Sequence, residues 1–254
     1  MTNVVRSFAD ALALALPTAP TPTNPANDNV RRRLEDFRSA LTAVDHTDIS
    51  DVDPSSLPDE AQAWLQSAID GAQGAPGVVR AARDATTAGS WYQIYESGSA
   101  NGHSASEPRE TLTGGMFAAQ MIGSRGLVKS DTLLAGLFLL GPGLHYPLHQ
   151  HPATEIYFGV SGEIGIQHGL DGEPQALSPG EVSLTPSNRL HALTVGVSPV
   201  LLLYCWLGQL GGRQWWWRQD SEGHWHRDAY ERTARASWER TASEAVPADV
   251  LARL

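Results

Sequence analysis

The most informative stretch of the sequence reads His145-Tyr146-Pro147-Leu148-His149-Gln150-His151-Pro152-Ala153-Thr154-Glu155-Ile156-Tyr157. In a β-strand alternate side chains share a face, so this pattern places His149, His151, Glu155 and Tyr157 on one side of a strand. Two imidazoles and a carboxylate make a poor solvent-facing surface, but they are suitable ligands for a divalent transition metal. The stretch therefore predicts a strand that binds a metal.

A fourth ligand is expected from a second stretch, residues 180–191. It contains a turn at Pro186 to Asn188, followed by a short apolar strand that carries His191. The alternative, histidines that merely pack in a core, would leave Glu155 buried without a partner, which is costly. We therefore predict one divalent transition metal per chain, bound by His149, His151, Glu155 and His191. These ligand types accept Zn, Fe, Mn, Co or Ni, so the sequence leaves the metal open.

Together the two stretches resemble the paired motifs of the cupin superfamily. The first motif, G-x5-H-x-H-x3-E-x6-G, is filled by Gly143, His149, His151, Glu155 and Gly162. The second, G-x5-P-x-G-x2-H-x3-N, is matched at Gly180, Pro186 and His191, with Asn188 in place of Gly and Val195 in place of the final Asn. Asn still tolerates a left-handed turn. The resemblance implies a mainly β protein with a cupin-type antiparallel β-barrel, or jelly roll.

The rest of the chain is expected to divide around this barrel. Residues 1–29 are interpreted as a flexible N-terminal segment, a short helix or tail and then a linker rich in Pro, Thr and Asn. Apolar residues at helical spacing predict a helical subdomain over 30–90, which covers the barrel or forms a dimer contact. Short strands punctuated by Gly and Pro place the barrel at 91–212. Residues 213–254 are expected to form a hairpin and then a helix from Ala229 to about Glu244.

Composition excludes several classes of function. The 254 residues carry a net charge of −10, which argues against nucleic-acid binding. No apolar run is long enough to span a bilayer, and the short run at 11–16 follows Asp10 and lacks a cleavage site. The single cysteine, Cys205, allows no disulfide within the chain and is compatible with a reducing compartment. We therefore expect a cytoplasmic protein.

An aromatic strand and two further histidine positions have more than one interpretation. In Val200 to Trp206 the side chains of Tyr204 and Trp206 share a face, and they either line the metal pocket or pack in the core. A pocket wall of this kind would suit a positively charged onium group. His103 is expected in an exposed loop or over the pocket, and His224-x-His226 in a surface or interface hairpin.

A finer pattern resembles the cupin-type dimethylsulfoniopropionate (DMSP) lyases. Tyr-x2-His-x-His-x3-Glu-x-Tyr is present as Tyr146, His149, His151, Glu155 and Tyr157. The resemblance implies that Tyr157 is the catalytic base and Tyr146 a second catalytic tyrosine. It also implies that Trp206, with Tyr204, faces the sulfonium of a small zwitterionic substrate. Cupin barrels often pair, so a homodimer is compatible with the sequence.

The implied reaction is metal-dependent β-elimination of DMSP to acrylate and dimethyl sulfide. The cupin fold also hosts other functions, because function resides in the site and not in the fold. Two alternatives therefore stay open, a metal-dependent dioxygenase with the same four ligands and a small-ligand-binding cupin.

Overall fold

The computed structural model describes residues 2–24, 27–47, 49–50, 55–95, 112, 115–232 and 238–251. Helices come first along the chain: α1 (Thr2–Ala15), a 3-10 turn (Leu16–Thr18), α2 (Asp28–Thr42), α3 (Asp59–Asp70) and α4 (Pro76–Ala88). The strands follow: β1 (Trp91–Gln93), β2 (Met116–Ile122), β3 (Leu133–Leu140), β4 (His145–Gln150), β5 (Thr154–Ser161), β6 (Ile164–His168), β7 (Gln175–Leu177), β8 (Val182–Thr185), β9 (His191–Val195), β10 (Val200–Leu207), β11 (Gln214–Gln219), β12 (Trp225–Arg232) and β13 (Trp238–Ala245). A short helix α5 (Ala248–Leu251) follows the last strand.

The strands form two antiparallel sheets. The six-stranded sheet has the order β1-β2-β3-β10-β5-β8, and the seven-stranded sheet has the order β13-β12-β11-β4-β9-β6-β7. Their inner faces pack together through a core to which Phe138, Leu202, Ile164 and Leu193 contribute. The expectation of a mainly β fold built from antiparallel strands is confirmed.

The helices cover the outer face of the six-stranded sheet. Leu34, Phe37 and Leu41, on one face of α2, join a continuous core with Leu201 and Leu203 of β10. The side chain of Asn27 caps α2 by accepting hydrogen bonds from the backbone N–H of Asn29 and Val30. The helical layer therefore covers the barrel, which is one of the two roles that the sequence left open.

The described part of the N-terminal segment is folded: the short helix that the sequence allowed is present as α1, but the prediction of a flexible segment after it is wrong. Val5, Phe8 and Leu12 of α1 are fully buried in the core between helices and sheet. Beyond the helix, Asn24 binds the edge strand β8: its Oδ1 accepts from the Leu184 N–H at 2.8 Å and its Nδ2 donates to the Leu184 carbonyl at 2.9 Å. A side chain that pairs with backbone in this way covers a sheet edge that would otherwise be open.

The C-terminal region also differs from the expectation. The helix predicted from Ala229 to about Glu244 is wrong, because β12 and β13 occupy that region. The expected hairpin is present as β11 and β12, but it continues the seven-stranded sheet, since Trp215 and Trp216 pair with Gln150 and His149 of β4. The residues of β12 and β13 show no clear apolar alternation along the chain, so no local pattern marked this region as strand.

The motif turns adopt the conformations that their residues favour. Asn188 has φ 57°, the left-handed conformation expected where the cupin motif has Gly. Gly162 has φ 71°, and a Cβ there would lie 2.6 Å from the Pro199 carbonyl oxygen. The turn at Asn188 joins β8 to β9, and these strands pair with β5 and β4, which carry Glu155 and His149.

Candidate metal centre and active-site pocket

The predicted ligands come from both sheets and not from one strand. His149 lies on β4 and Glu155 on β5, and the chain bends between them at Pro152 and Ala153, where His151 enters from the connection. The prediction of a single ligand strand is therefore wrong, although the four side chains still converge. His191 of β9 lies directly opposite His149 of β4, the neighbouring strand in the seven-stranded sheet.

Backbone carbonyl groups orient each of the three imidazoles. The Nδ1 atom of His149 lies 2.8 Å from the Pro147 oxygen, that of His151 3.2 Å from the Ala153 oxygen, and that of His191 2.9 Å from the Arg189 oxygen. A carbonyl oxygen only accepts, so each Nδ1 carries the proton and each Nε2 keeps a free lone pair. This is the arrangement that metal-binding histidines need.

The atoms that face one another in the centre have no hydrogen-bond partner. His151 Nε2, His191 Nε2 and Glu155 Oε2 are buried and unpaired, and Oε2 lies 3.4 Å from each nitrogen. Candidate ligand atoms of His149, His151 and His191 all lie within 4.8 Å of one another. Two atoms that bind one zinc ion tetrahedrally at about 2.0–2.1 Å lie roughly 3.3–3.4 Å apart. The site therefore fits a divalent metal, which would satisfy the unpaired atoms.

Electrostatics keep these groups in the forms that bind a metal. Burial alone would raise the pKa of Glu155, but the contacts with His151 and His191 outweigh it and hold that pKa below its usual value. Burial, together with the imidazoles of His191 and His151, lowers the pKa of His149 well below its usual value. At neutral pH the site therefore offers a carboxylate and a neutral imidazole.

A pocket of about 420 Å³ opens onto this centre. Its lining includes six residues that the sequence singled out: Tyr146, His149, Glu155, Tyr157, Tyr204 and Trp206. Tyr204 and Trp206 face inward from β10, while Leu201, Leu203 and Cys205 face the helices. The interpretation of Tyr204 and Trp206 as pocket residues, and not as core packing alone, is the one that their placement favours.

Tyr157 and Tyr146 lie on either side of the candidate ligands. Tyr157 is buried and stacks on Phe138 with ring centroids 5.8 Å apart. On β5 it lies directly opposite Tyr204 of the neighbouring strand β10. Burial and the nearby Glu155 carboxylate raise the pKa of Tyr157 well above its usual value. The ring of Tyr146 stacks on the imidazole of His149 at 3.8 Å.

Several pocket residues were not predicted from the sequence. The Tyr95 hydroxyl lies 2.7 Å from the Tyr146 hydroxyl, and Tyr95 is buried against Trp216. Gln120 of β2 donates to the Tyr204 hydroxyl at 3.5 Å and accepts from the Arg125 N–H at 2.7 Å. No local pattern marked these residues, because Tyr95, just after β1, and Gln120 of β2 are distant in sequence from the motif residues.

The other histidines are not among the candidate ligands, and one of them falls outside the described residues. His168, which the sequence did not single out, pairs with His191 across β6 and β9, and its Nε2 lies 3.1 Å from Thr185 Oγ1. His224 and His226 contact Asp220 at the tip of the β11–β12 hairpin. His103 falls outside the described residues.

Comparison with known proteins identifies the family. A family model described as dimethylsulfoniopropionate lyase matches residues 31–202, well over half of the chain. The chain belongs to this family. The match includes the four candidate ligands, Tyr146 and Tyr157, whereas Tyr204 and Trp206 lie beyond its last residue.

Individual relatives share part of the chain. The DMSP lyase DddQ of Ruegeria pomeroyi is 40% identical over 91 residues, which are 35% of this chain and 44% of that protein. A putative DMSP lyase, DddL of Cereibacter sphaeroides, is 31% identical over 91 residues, 35% of this chain and 37% of that protein. The matched segment thus spans less than half the length of either curated relative.

Solved structures confirm the cupin fold. The crystal structure of DMSP lyase DddQ from Ruegeria pomeroyi superposes with a TM-score of 0.52 at 26% identity, over 72% of this chain and 93% of that chain. A chain from the crystal structures of the DMSP lyases RdDddP and RnDddQII gives a TM-score of 0.54 at 21% identity, over 84% and 98%. Within the described residues, no helix has the length and apolar character needed to cross a membrane.

Proposed function

We propose that this protein is a metal-dependent carbon–sulfur lyase that cleaves DMSP into acrylate and dimethyl sulfide. The observation that carries the proposal is the placement of Tyr157 beside Glu155 in a pocket that opens onto four convergent candidate ligands. Membership of the DMSP lyase family supports both the substrate and the reaction class.

The difficulty of the reaction lies in removing the α-proton of DMSP. This carbon is next to an ionised carboxylate, so negative charge develops beside an existing anion. A divalent cation held by His149, His151, Glu155 and His191 would supply positive charge that binds the substrate carboxylate and lowers the pKa of the Tyr157 phenol. Such a charge would oppose burial and the Glu155 carboxylate, which both raise the pKa of Tyr157.

Tyr157 then acts as the general base. Its phenolate oxygen takes the α-proton, and the electron pair of the broken C–H bond forms the double bond of acrylate. The β-carbon–sulfur bond breaks, and its electron pair leaves on sulfur as neutral dimethyl sulfide. A basic phenolate on a buried side chain is well suited to take a weakly acidic carbon-bound proton.

The remaining pocket residues would position the zwitterion. Tyr146, fixed by its stacking on His149 and its contact with Tyr95, would donate a hydrogen bond to the substrate carboxylate. Tyr204 and Trp206 would face the sulfonium, whose positive charge is attracted by aromatic ring faces. The cytoplasmic location and the homodimer expected from the sequence remain predictions.

The two alternatives make different demands. A dioxygenase would require ferrous iron and would consume oxygen, and a ligand-binding cupin would turn over nothing. Oxygen uptake with no dimethyl sulfide would favour the first alternative, and binding without any turnover would favour the second.

The decisive experiment compares wild type with Tyr157→Phe. Phenylalanine keeps the ring and its stacking on Phe138 but cannot take a proton, so dimethyl sulfide release should fall about 10²–10⁴-fold. Metal content and fold should stay near wild type. Tyr230→Phe is the matched control, because Tyr230 is equally buried beside Trp216 and should leave the rate nearly unchanged. Comparable headspace dimethyl sulfide from Tyr157→Phe and wild type would refute a tyrosine base.

A further inference from the structure

The two oxygens of Glu155 have different environments. Oε2 points to His151 and His191 and has no hydrogen-bond partner. Oε1, in contrast, accepts a hydrogen bond from the indole Nε1 of Trp206. Glu155 is 1% exposed, so its carboxylate is enclosed by protein. Each oxygen therefore keeps its own neighbours.

The position of Trp206 follows from strand register. Trp206 on β10 is directly opposite Glu155 on β5, and both side chains point into the barrel. Residues opposite one another in an antiparallel pair have their side chains in contact range. The backbone therefore holds the indole N–H against the carboxylate.

The same indole also contacts a second candidate ligand. The Trp206 ring stacks on the imidazole of His151, with centroids 4.1 Å apart and planes inclined by 22°. Nδ1 of each of the three imidazoles lies near a backbone carbonyl oxygen, and His151 has the indole ring as a further contact. Trp206 thus contacts two candidate ligands, Glu155 and His151, without being a ligand itself.

We propose that Trp206 is a positioning residue of the metal centre. Its indole N–H donates to Oε1 of Glu155, so that only Oε2 is available to the metal. Its ring, stacked on His151, fixes the orientation of that imidazole. This role is separate from any contact with a sulfonium, and it does not rest on the identity of the substrate. Groups that orient metal ligands commonly contribute 10–100-fold to metal affinity.

The test measures metal affinity in the absence of substrate. Trp206→Phe keeps an aromatic ring over His151 but removes the N–H, and zinc affinity from chelator competition should fall about 10–100-fold. The matched control is Trp217→Phe. Trp217 is buried, whereas Trp206 is partly buried, and Trp217 likewise donates its indole N–H to a side-chain oxygen, Oε1 of Gln150, which lies between His149 and His151 but is not a ligand. Its zinc affinity should stay within about 3-fold of wild type.

A second variant separates the hydrogen bond from packing. Replacement of the indole at position 206 by benzothiophene, through incorporation of benzothienylalanine, keeps the shape of the ring system and substitutes sulfur for the N–H. This protein should show the same loss of zinc affinity as Trp206→Phe. Wild-type affinity in the benzothiophene protein, or equal losses for the substitutions at 206 and 217, would overturn the proposal. A wild-type protein without lyase activity would contradict the proposed function and leave this comparison intact.

Discussion

His168 is a partly buried imidazole that the proposed chemistry leaves unused. Burial, with His191 and Arg189 nearby, lowers its pKa from 6.5 to about 4. In the folded protein His168 is thus neutral at pH 5, whereas in the unfolded chain it is protonated below about 6.5. The unfolded state therefore binds an extra proton between these values, and stability conferred by neutral His168 is lost as the pH falls from about 6.5 to about 4.

This difference predicts a change in the pH dependence of stability. In His168→Gln the fall in the free energy of unfolding between pH 6.5 and 4.5 should be smaller than in wild type, by on the order of 1–2 kcal/mol after allowance for partial exposure. Urea titrations at several pH values measure it. Asn29→Ala, at an exposed position of α2 and without change of a titratable group, should retain the wild-type slope. Parallel slopes for wild type and His168→Gln would contradict the prediction.

The sequence could identify the site residues that motifs specify, but not those that topology supplies. The motifs place the four candidate ligands, His149, His151, Glu155 and His191, at fixed spacings. These spacings are fixed because the ligands lie near turns, where an added or missing residue would move the side chains out of place. Tyr95, just after β1, and Gln120 of β2 reach the same pocket from the far side of the six-stranded sheet, and their spacing in the sequence does not reveal that contact. The hydrogen bond from Trp206 to Glu155 depends on the register of β10 against β5, which local alternation does not define.

At the scale of elements, the N-terminal segment holds the edge of the six-stranded sheet. Asn24 makes two hydrogen bonds to Leu184, and Pro20 accepts from the Val182 N–H at 2.8 Å. The sequence predicted a linker here, since Pro, Thr and Asn are typical of exposed loops. Such residues give no hydrophobic pattern, so an ordered segment held by polar contacts is missed.

We expect Asn24→Ala to destabilise the protein by about 1–3 kcal/mol, because two hydrogen bonds to a sheet edge are lost. Chemical denaturation monitored by fluorescence of the tryptophans measures the change. Asn29→Ala is the control, since Asn29 is exposed on α2 and the change should stay within about 0.5 kcal/mol. Equal stabilities for the two variants would show that the segment contributes nothing to the edge.

For the whole molecule, the candidate centre joins the two sheets. His149 and His191 belong to the seven-stranded sheet and Glu155 to the six-stranded sheet, so a bound metal would hold both layers of the barrel. A ligand that binds the folded state alone stabilises it by about 2.7 kcal/mol at 100 times its Kd. The protein should therefore bind about one divalent metal per chain and lose thermal stability when a chelator removes it.

For a chain of this length the loss of metal should lower Tm by roughly 5–10 °C at that saturation. His151→Ala and His191→Ala should lose most of the metal by elemental analysis, and their Tm should no longer respond to the chelator. His224→Ala, at the hairpin tip, should keep both the metal and the chelator response. Full metal occupancy in both ligand variants would remove the proposed site.

The central position of β10 has a consequence for synthesis of the chain. β10 pairs with β3 on one side and β5 on the other, although it follows both of them along the sequence. Until residues 200–207 have been synthesised, neither β3 nor β5 has this partner, so each keeps at least one edge unpaired. Unpaired strand edges promote aggregation of nascent chains, and pairing between distant segments folds slowly. The pocket wall formed by Tyr204 and Trp206 is thus completed late in translation, and nascent chains that stop before residue 207 should be the species that most need chaperones.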